Sequence, residues 1–198
     1  MSSDLTSSLL QMFGGNIMDQ LGSQLGADPA TTQKAVGAAL PLLLGALGKN
    51  ASTEDGASAL FSALSSKHDG SVLNDLSGFI TKGGDVKDGQ GILRHTLGSK
   101  QTGIEQALSQ ATGLGTDSTG NLLAMLAPVV MGALGQQTRQ QGLDVGGLAK
   151  MLMGQQDQVQ SQLGGLSGLL DMNNDGSIID DVVNLGSKLL GGLFGSKN

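Results

Sequence analysis

One stretch near the C-terminus has the residue types and spacing that a hard cation needs. Side-chain oxygens alternate at Asp171, Asn173 and Asp175, and Gly176 follows where a short binding loop must turn sharply. Calcium takes six to eight oxygen ligands, and alternate positions of one loop can supply several of them. The stretch therefore predicts a calcium site. Its candidate ligands are Asp171, Asn173, Asp175, Ser177, Asp180 and Asp181.

The loop resembles the calcium loops of EF-hands and dockerins, except at its closing end. In that resemblance Ser177 contributes its main-chain carbonyl oxygen. The twelfth position should be a carboxylate but is Val182, whereas Asp180 and Asp181 come one or two residues earlier. One of these two would close a shortened loop. Such a ligand set implies a modest affinity, with a Kd of roughly 10⁻⁵ to 10⁻³ M.

A second interpretation of this loop comes from an earlier copy of its motif. Residues 69–76 read Asp-Gly-Ser-Val-Leu-Asn-Asp-Leu, and residues 175–182 read Asp-Gly-Ser-Ile-Ile-Asp-Asp-Val. The earlier copy has Ser65 and Lys67 in place of Asp171 and Asn173, so it lacks the calcium ligands. Its Asp-Gly-Ser is explained as a turn and helix N-cap, with the later aspartate favourable near a helix N-terminus. Both interpretations stay open.

Two histidines, His68 and His95, are the other candidates for acid–base chemistry. His95, beside Arg94, is the general base of an alternative hypothesis in which the protein is an enzyme. The chain has no cysteine and no pair of histidines at metal-ligand spacing. A lone histidine near a helix end is more often a cap or a solvated group. We therefore predict a protein that is not an enzyme.

The composition limits the classes of partner. The net charge is −6 and the acidic residues are spread along both halves, without a basic patch for phosphate contacts. The only aromatic residues are four Phe, which leaves few side chains for base stacking. We predict no nucleic-acid binding. Packing must instead rely on Leu, Ala, Val, Met and Gly, and the 33 glycines predict many short helices with Gly at their ends.

The chain is built around an apolar segment that occurs twice. Residues 39–48 and 126–135 share a proline, Pro41 or Pro128, and both end in Gly-Ala-Leu-Gly. Each segment is predicted to be the buried centre of a helix, which the proline kinks or divides. Matching residues before and after them predict two copies of one helical unit.

Helix periodicity and capping residues account for most of the remaining chain. Asp28-Pro29 predicts a helix start, and Gly26 and Gly113 predict helix ends. Residues 85–91 are polar and contain two glycines, which predicts a loop. No period-two strand pattern is present, so the predicted class is all-α. The predicted units are residues 1–99, 100–165 and 166–198, the last containing the calcium-like loop and a C-terminal helix.

The repeated motifs also carry a family resemblance. Residues 40–48, 55–60, 68–71, 91–98 and 126–134 together resemble the bacterial domain-of-unknown-function family numbered 937. The similar region runs from about Leu5 to Leu152. The resemblance implies a bacterial, all-helical protein and transfers no catalytic residue.

Membrane contact is an alternative that the apolar segments raise. Small residues lie along one side of the first segment, as in close-packed membrane helices, but an uninterrupted apolar run of 18 residues is missing. No signal peptide is visible at the start. We predict a cytoplasmic protein, with signal-independent export left open.

The leading functional prediction is a structural or protein-interaction protein that is non-enzymatic and in which calcium stabilises the 171–181 loop. Self-association would suit its methionines, because a methionine can line a partner surface or fill a gap in the core. Both uses are open for Met125, Met131, Met151 and Met153, and for at least the first two we predict the core.

Overall fold

The computed structural model describes residues 5–162, with side-chain surroundings through Gly154. This part of the chain contains helices and no strand, which confirms the all-α class. The α-helices are α1 (Leu5–Met12), α2 (Asn16–Leu25), α3 (Pro29–Asn50), α4 (Glu54–Ser66), α5 (Leu76–Thr81), α6 (Val86–Leu97), α7 (Gln101–Thr112), α8 (Thr116–Gln140) and α9 (Val145–Gln162). Two 3-10 helices, Ser71–Asp75 and Gly98–Lys100, lie before α5 and α7.

Local sequence signals set several helix ends. The Asp28 carboxylate accepts hydrogen bonds from the amides of Ala30 and Thr31 at 3.0 Å and so caps α3, whose first residue is Pro29. Gly26 and Gly113 end α2 and α7 in the left-handed conformation, with φ of 64° and 83°. Left-handed backbone costs other residues free energy because their Cβ is crowded there. The start of α3 and the ends of α2 and α7 therefore lie where the sequence predicted them.

The two proline-containing helices, α3 and α8, form the centre of the molecule. Pro41 and Pro128 both lie inside their helices, so neither proline divides its helix. Packed against α3 are α1, α2, α6, α7, α8 and α9. Packed against α8 are α2, α3, α4, α6, α7 and the first 3-10 helix. Most side chains from both apolar segments are buried in one core cluster.

The predicted loop at residues 85–91 is wrong. These residues belong to α6 and its N-cap, because the Asp85 carboxylate accepts a hydrogen bond from the Asp88 amide at 3.0 Å. The polar composition reflects an exposed helix start. Gly89 is a packing residue: an added Cβ would lie 1.8 Å from the carbonyl oxygen of Ala124 in α8.

Contacts between the predicted units are extensive. Helix α3 of the first unit packs against α9 of the second, and α4 packs against α8. The division into residues 1–99 and 100–165 stays a prediction, and the unit 166–198 lies outside the described residues.

Candidate functional site

The six predicted calcium ligands, Asp171, Asn173, Asp175, Ser177, Asp180 and Asp181, lie outside the described residues. The calcium site therefore stays a prediction. Among the side chains described, those of residues 5–154, no three His, Asp or Glu come close enough together to hold a metal ion.

His95 lies in an open cleft between the end of α3 and the α6–α7 connection. The cleft has a volume of about 330 Å³, with Ala46, Leu97 and Ile104 among its apolar lining residues. The polar lining includes Lys49, Asn50, His95, Ser99 and Lys100. Asn50 donates a hydrogen bond from Nδ2 to the carbonyl oxygen of His95 at 3.4 Å. None of the residues that line this cleft has a carboxylate that would orient the imidazole as a general base.

The other histidine, His68, has a different environment. Its side chain is 9% exposed, and Nε2 lies 3.7 Å from Oδ2 of Asp88 in α6. Lys67 forms an ion pair with the other oxygen of the same carboxylate. Burial lowers the pKa of His68, and the attraction of Asp88 only partly opposes that effect. His68 therefore links the end of α4 to α6 in its neutral form near pH 7.

The chain turns directly after His68 and packs on α8. We call residues 68–73 the first corner. The Ser71 amide donates to Oδ1 of Asp69 at 3.0 Å, and this hydrogen bond lowers the pKa of the Asp69 carboxyl. Gly70 has a φ of 95°, and Asp75 caps α5 by accepting from the Gly78 amide at 2.9 Å. In this copy Asp-Gly-Ser is thus a turn, and the later aspartate, rather than Asp-Gly-Ser itself, caps the α-helix.

Arg139 of α8 also contacts the first corner. Its guanidinium donates to the main-chain carbonyl of Asp69, and Nη1 lies 3.6 Å from the Asp69 carboxylate. Both side chains are about half exposed, so this ion pair adds little to stability. Its geometric effect is to place the turn over the last turns of α8.

Sequence reasoning missed the His68–Asp88 pair and the role of Arg139. Asp88 is twenty positions from His68, and three α-helices and two 3-10 helices lie between Asp69 and the helix that contains Arg139. Sequence spacing carries no signal for such pairs, since only the packing of α4, α6 and α8 brings them together.

The methionines divide between core and surface. Met125 and Met131 are each 3% exposed, which confirms their predicted place in the core. Met151 is half-buried and Met153 is 44% exposed, both on α9. Leu10 on α1, at 36%, is the other large apolar side chain exposed to this degree in the described part of the chain.

The membrane alternative has one matching helix within residues 5–162. By length and composition α8 could cross a membrane, although no uninterrupted apolar run suggested it from the sequence. However, 83% of its apolar window is buried inside the molecule. The core helix of a soluble protein has these same properties.

The fold therefore defines an all-helical protein built around two buried, proline-containing helices. Residues 7–137 match the family model described as bacterial protein of unknown function, DUF937. The chain belongs to this family, as the resemblance predicted. Comparisons with curated proteins and with solved structures each found no match.

Proposed function

We propose that this protein is non-enzymatic and acts through protein contacts, first of all with a second copy of itself. The observation that carries the proposal is the exposed methionine on α9. Met153 is 44% exposed, whereas the core methionines Met125 and Met131 are 3% exposed. A flexible, polarisable thioether adapts its shape to a partner surface.

The neighbouring positions on α9 suit a close contact. Gly146 and Ala149 precede Met153 by seven and four residues, so the three share one side of the helix. Gly146 is exposed and Ala149 is half-buried. Small residues beside a methionine let a partner backbone approach and let the methionine pack across it.

The ionisable residues support the non-enzymatic part of the proposal. Asp28, Asp75 and Asp85 cap helices, and the Asp88 carboxylate contacts Lys67 and His68. Asp144 accepts a hydrogen bond from the Gly147 amide at 2.7 Å, at the start of α9. These groups have structural partners, and none of the residues that line the cleft at His95 is Asp or Glu.

The test is the molar mass in solution from light scattering after size exclusion, over about 1 to 100 µM protein, a range that spans typical weak association. We expect a mass above that of one chain at the higher concentrations, which Met153→Glu lowers to one chain. Leu10→Glu is the matched control, because it places the same charge on the exposed leucine of α1 and should leave the mass unchanged. A wild-type mass of one chain throughout, or equal effects of both variants, would contradict self-association through α9.

A further inference from the structure

Two glycines of α8 form the surface on which the first corner docks. A Cβ added at Gly132 would lie 2.5 Å from Cγ1 of Val72, and one added at Gly135 would lie 1.9 Å from the carbonyl oxygen of His68. Both glycines are buried. The first corner can approach α8 this closely only because neither position has a side chain. We call this pair the α8 glycine site.

The corresponding positions of α3 are Gly45 and Gly48, which we call the α3 glycine site. They have the same spacing and the same distance from the helix proline as Gly132 and Gly135. Gly48 is buried, but Gly45 is only half-buried, whereas its counterpart Gly132 is fully covered. Leu42 is also half-buried, whereas Val129 at the same place in α8 is 0% exposed. The α3 surface is therefore less covered than the α8 surface.

The chain contains a second segment with the features that dock on α8. Residues 174–179 read Asn-Asp-Gly-Ser-Ile-Ile, and the first corner reads His-Asp-Gly-Ser-Val-Leu. Gly176 matches Gly70, which contacts the α8 backbone, and Ile178 matches Val72, which contacts the α8 glycine site. An isoleucine keeps the β-branched shape of the valine, so it suits the same groove.

We propose that residues 174–182 dock on the α3 glycine site as the first corner docks on the α8 glycine site. Ile178 then lies against Gly45, and the chain around Asn174 lies against Gly48. The inference rests on the described α8 contacts and on the two repeated sequences, and is independent of the proposed contact through α9.

The length of chain permits this docking. Helix α9 packs against α3 and is described through Gln162, about two turns beyond the position that corresponds to the end of α4. These two turns displace the chain by about 12 Å. Residues 163–173 connect Gln162 to the docking segment, and an extended chain of this length spans roughly 35 Å. The connection can therefore return to the α3 glycine site.

One difference between the two sites bears on calcium. Ser52 occupies the position in the first copy that Arg139 occupies in the second, so α3 has no guanidinium there for Asp175. Asp175 is also one of the predicted calcium ligands. In the proposed docking, Asp175 therefore lacks a counterpart of the contact that Arg139 makes with Asp69.

Disulfide trapping tests the proposal. Because the wild-type chain has no cysteine, only the introduced cysteines can form a disulfide. The test pair is Gly45→Cys with Ile178→Cys in the full chain. The positive control is Gly132→Cys with Val72→Cys, where the 2.5 Å contact brings the two Cβ atoms within about 4 Å, the range of a disulfide. The background control is Gly37→Cys with Ile178→Cys, because Gly37 lies on α3 with no atom within 4 Å of an added Cβ.

We expect the test pair to form an intramolecular disulfide at least about tenfold faster than the background pair, because docking raises the local thiol concentration. Electrophoresis without reductant and peptide mass spectrometry measure it. A rate equal to background, with rapid closure of the positive control, overturns the proposal. A disulfide-linked dimer overturns it too, since it assigns the α3 glycine site to a second copy.

A second measurement does not depend on cysteine pairs. Gly45→Leu places a side chain in the α3 glycine site, and Gly37→Leu places the same side chain on the open part of α3. We expect amide hydrogen exchange in residues 176–182 to become at least about tenfold faster in Gly45→Leu only. Equal exchange in wild type and both variants would contradict docking at Gly45.

Discussion

At the scale of single residues, His68 differs most from what its sequence position suggests. It follows a helix end beside Lys67, where an exposed imidazole would be ordinary, yet its side chain is 9% exposed. Burial lowers its pKa, since the charged form loses hydration. Asp88 opposes this lowering, as Asp85 does more weakly, whereas Lys67 reinforces it. The direction of this pKa shift is therefore set by tertiary packing and not by the position of His68 in the sequence.

The lowered pKa of His68 predicts how folding stability depends on pH. The unfolded chain binds this proton at about pH 6.5, and the folded chain binds it only at lower pH. The contribution of neutral His68 to the free energy of unfolding is therefore fully present above about pH 6.5. It is lost as the pH falls, by at most about 1.4 kcal/mol per pH unit. Urea unfolding between pH 7.5 and 5 measures this loss.

A glutamine variant controls for other groups in that pH range. His68→Gln should flatten the slope between about pH 6.5 and 5, because it removes the group whose pKa is lowered on folding. The pKa values of Asp28 and Asp69 are lowered from 3.8, so their contributions are lost only at more acidic pH. Equal slopes in wild type and His68→Gln would contradict the role of His68.

At the scale of elements, the contact between α6 and α8 depends on one glycine and one proline. Pro128 has no amide hydrogen, so the Ala124 carbonyl, four residues earlier in α8, lacks its usual helical donor. Gly89 of α6 lies directly against that carbonyl oxygen. The backbone of α6 can approach there because Gly89 has no side chain. The proline thus affects the packing of a neighbouring helix without dividing its own.

Two glycine-to-alanine variants in α6 should change stability in opposite directions. Gly89→Ala forces a Cβ to within 1.8 Å of a main-chain oxygen, so we expect it to lower the unfolding free energy by about 2–4 kcal/mol. Gly91→Ala meets no atom within 4 Å and should raise it by about 0.5–1 kcal/mol, since alanine favours the helix. Urea unfolding of both variants measures the difference. Equal effects would show that α6 and α8 are not in such close contact.

At the scale of the whole molecule, α3 and α8 connect the two repeated sequences through one core. Each also packs against the helix that follows the other, since α3 contacts α9 and α8 contacts α4. A ligand that stabilises one end of the chain should therefore stabilise the whole, if the core unfolds as one unit.

Calcium provides the corresponding whole-molecule test. We expect millimolar calcium to raise the thermal unfolding midpoint relative to excess EGTA, because a ligand at about 100 times its Kd adds about 2.7 kcal/mol. That is a rise of several degrees, measured by circular dichroism. Asp171→Ala and Asp175→Ala should abolish the rise. Asp69→Ala, in the copy without the calcium ligands, should lower the midpoint but keep the rise.

The calcium experiment and disulfide trapping separate two properties of the same segment. A midpoint that is identical in calcium and EGTA would reduce residues 171–181 to a turn, as Asp-Gly-Ser is in the first copy. Docking on α3 would still be measured independently by the cysteine pairs. A calcium-dependent rise of the unfolding midpoint, together with disulfide formation at the background rate, would indicate an ion site that is separate from α3.

The sequence by itself determined the features that depend on a few adjacent residues. The helix start at Asp28, the left-handed ends at Gly26 and Gly113, the all-α class and the burial of both apolar segments follow from local hydrogen bonding, backbone sterics and hydrophobic periodicity. Tertiary structure decided the rest. Position 89 requires a glycine because α8 leaves room only for its hydrogen, and His68 is buried where the end of α4 meets Asp88 of α6. Such outcomes depend on distances between residues far apart in the chain, which periodicity and spacing do not encode.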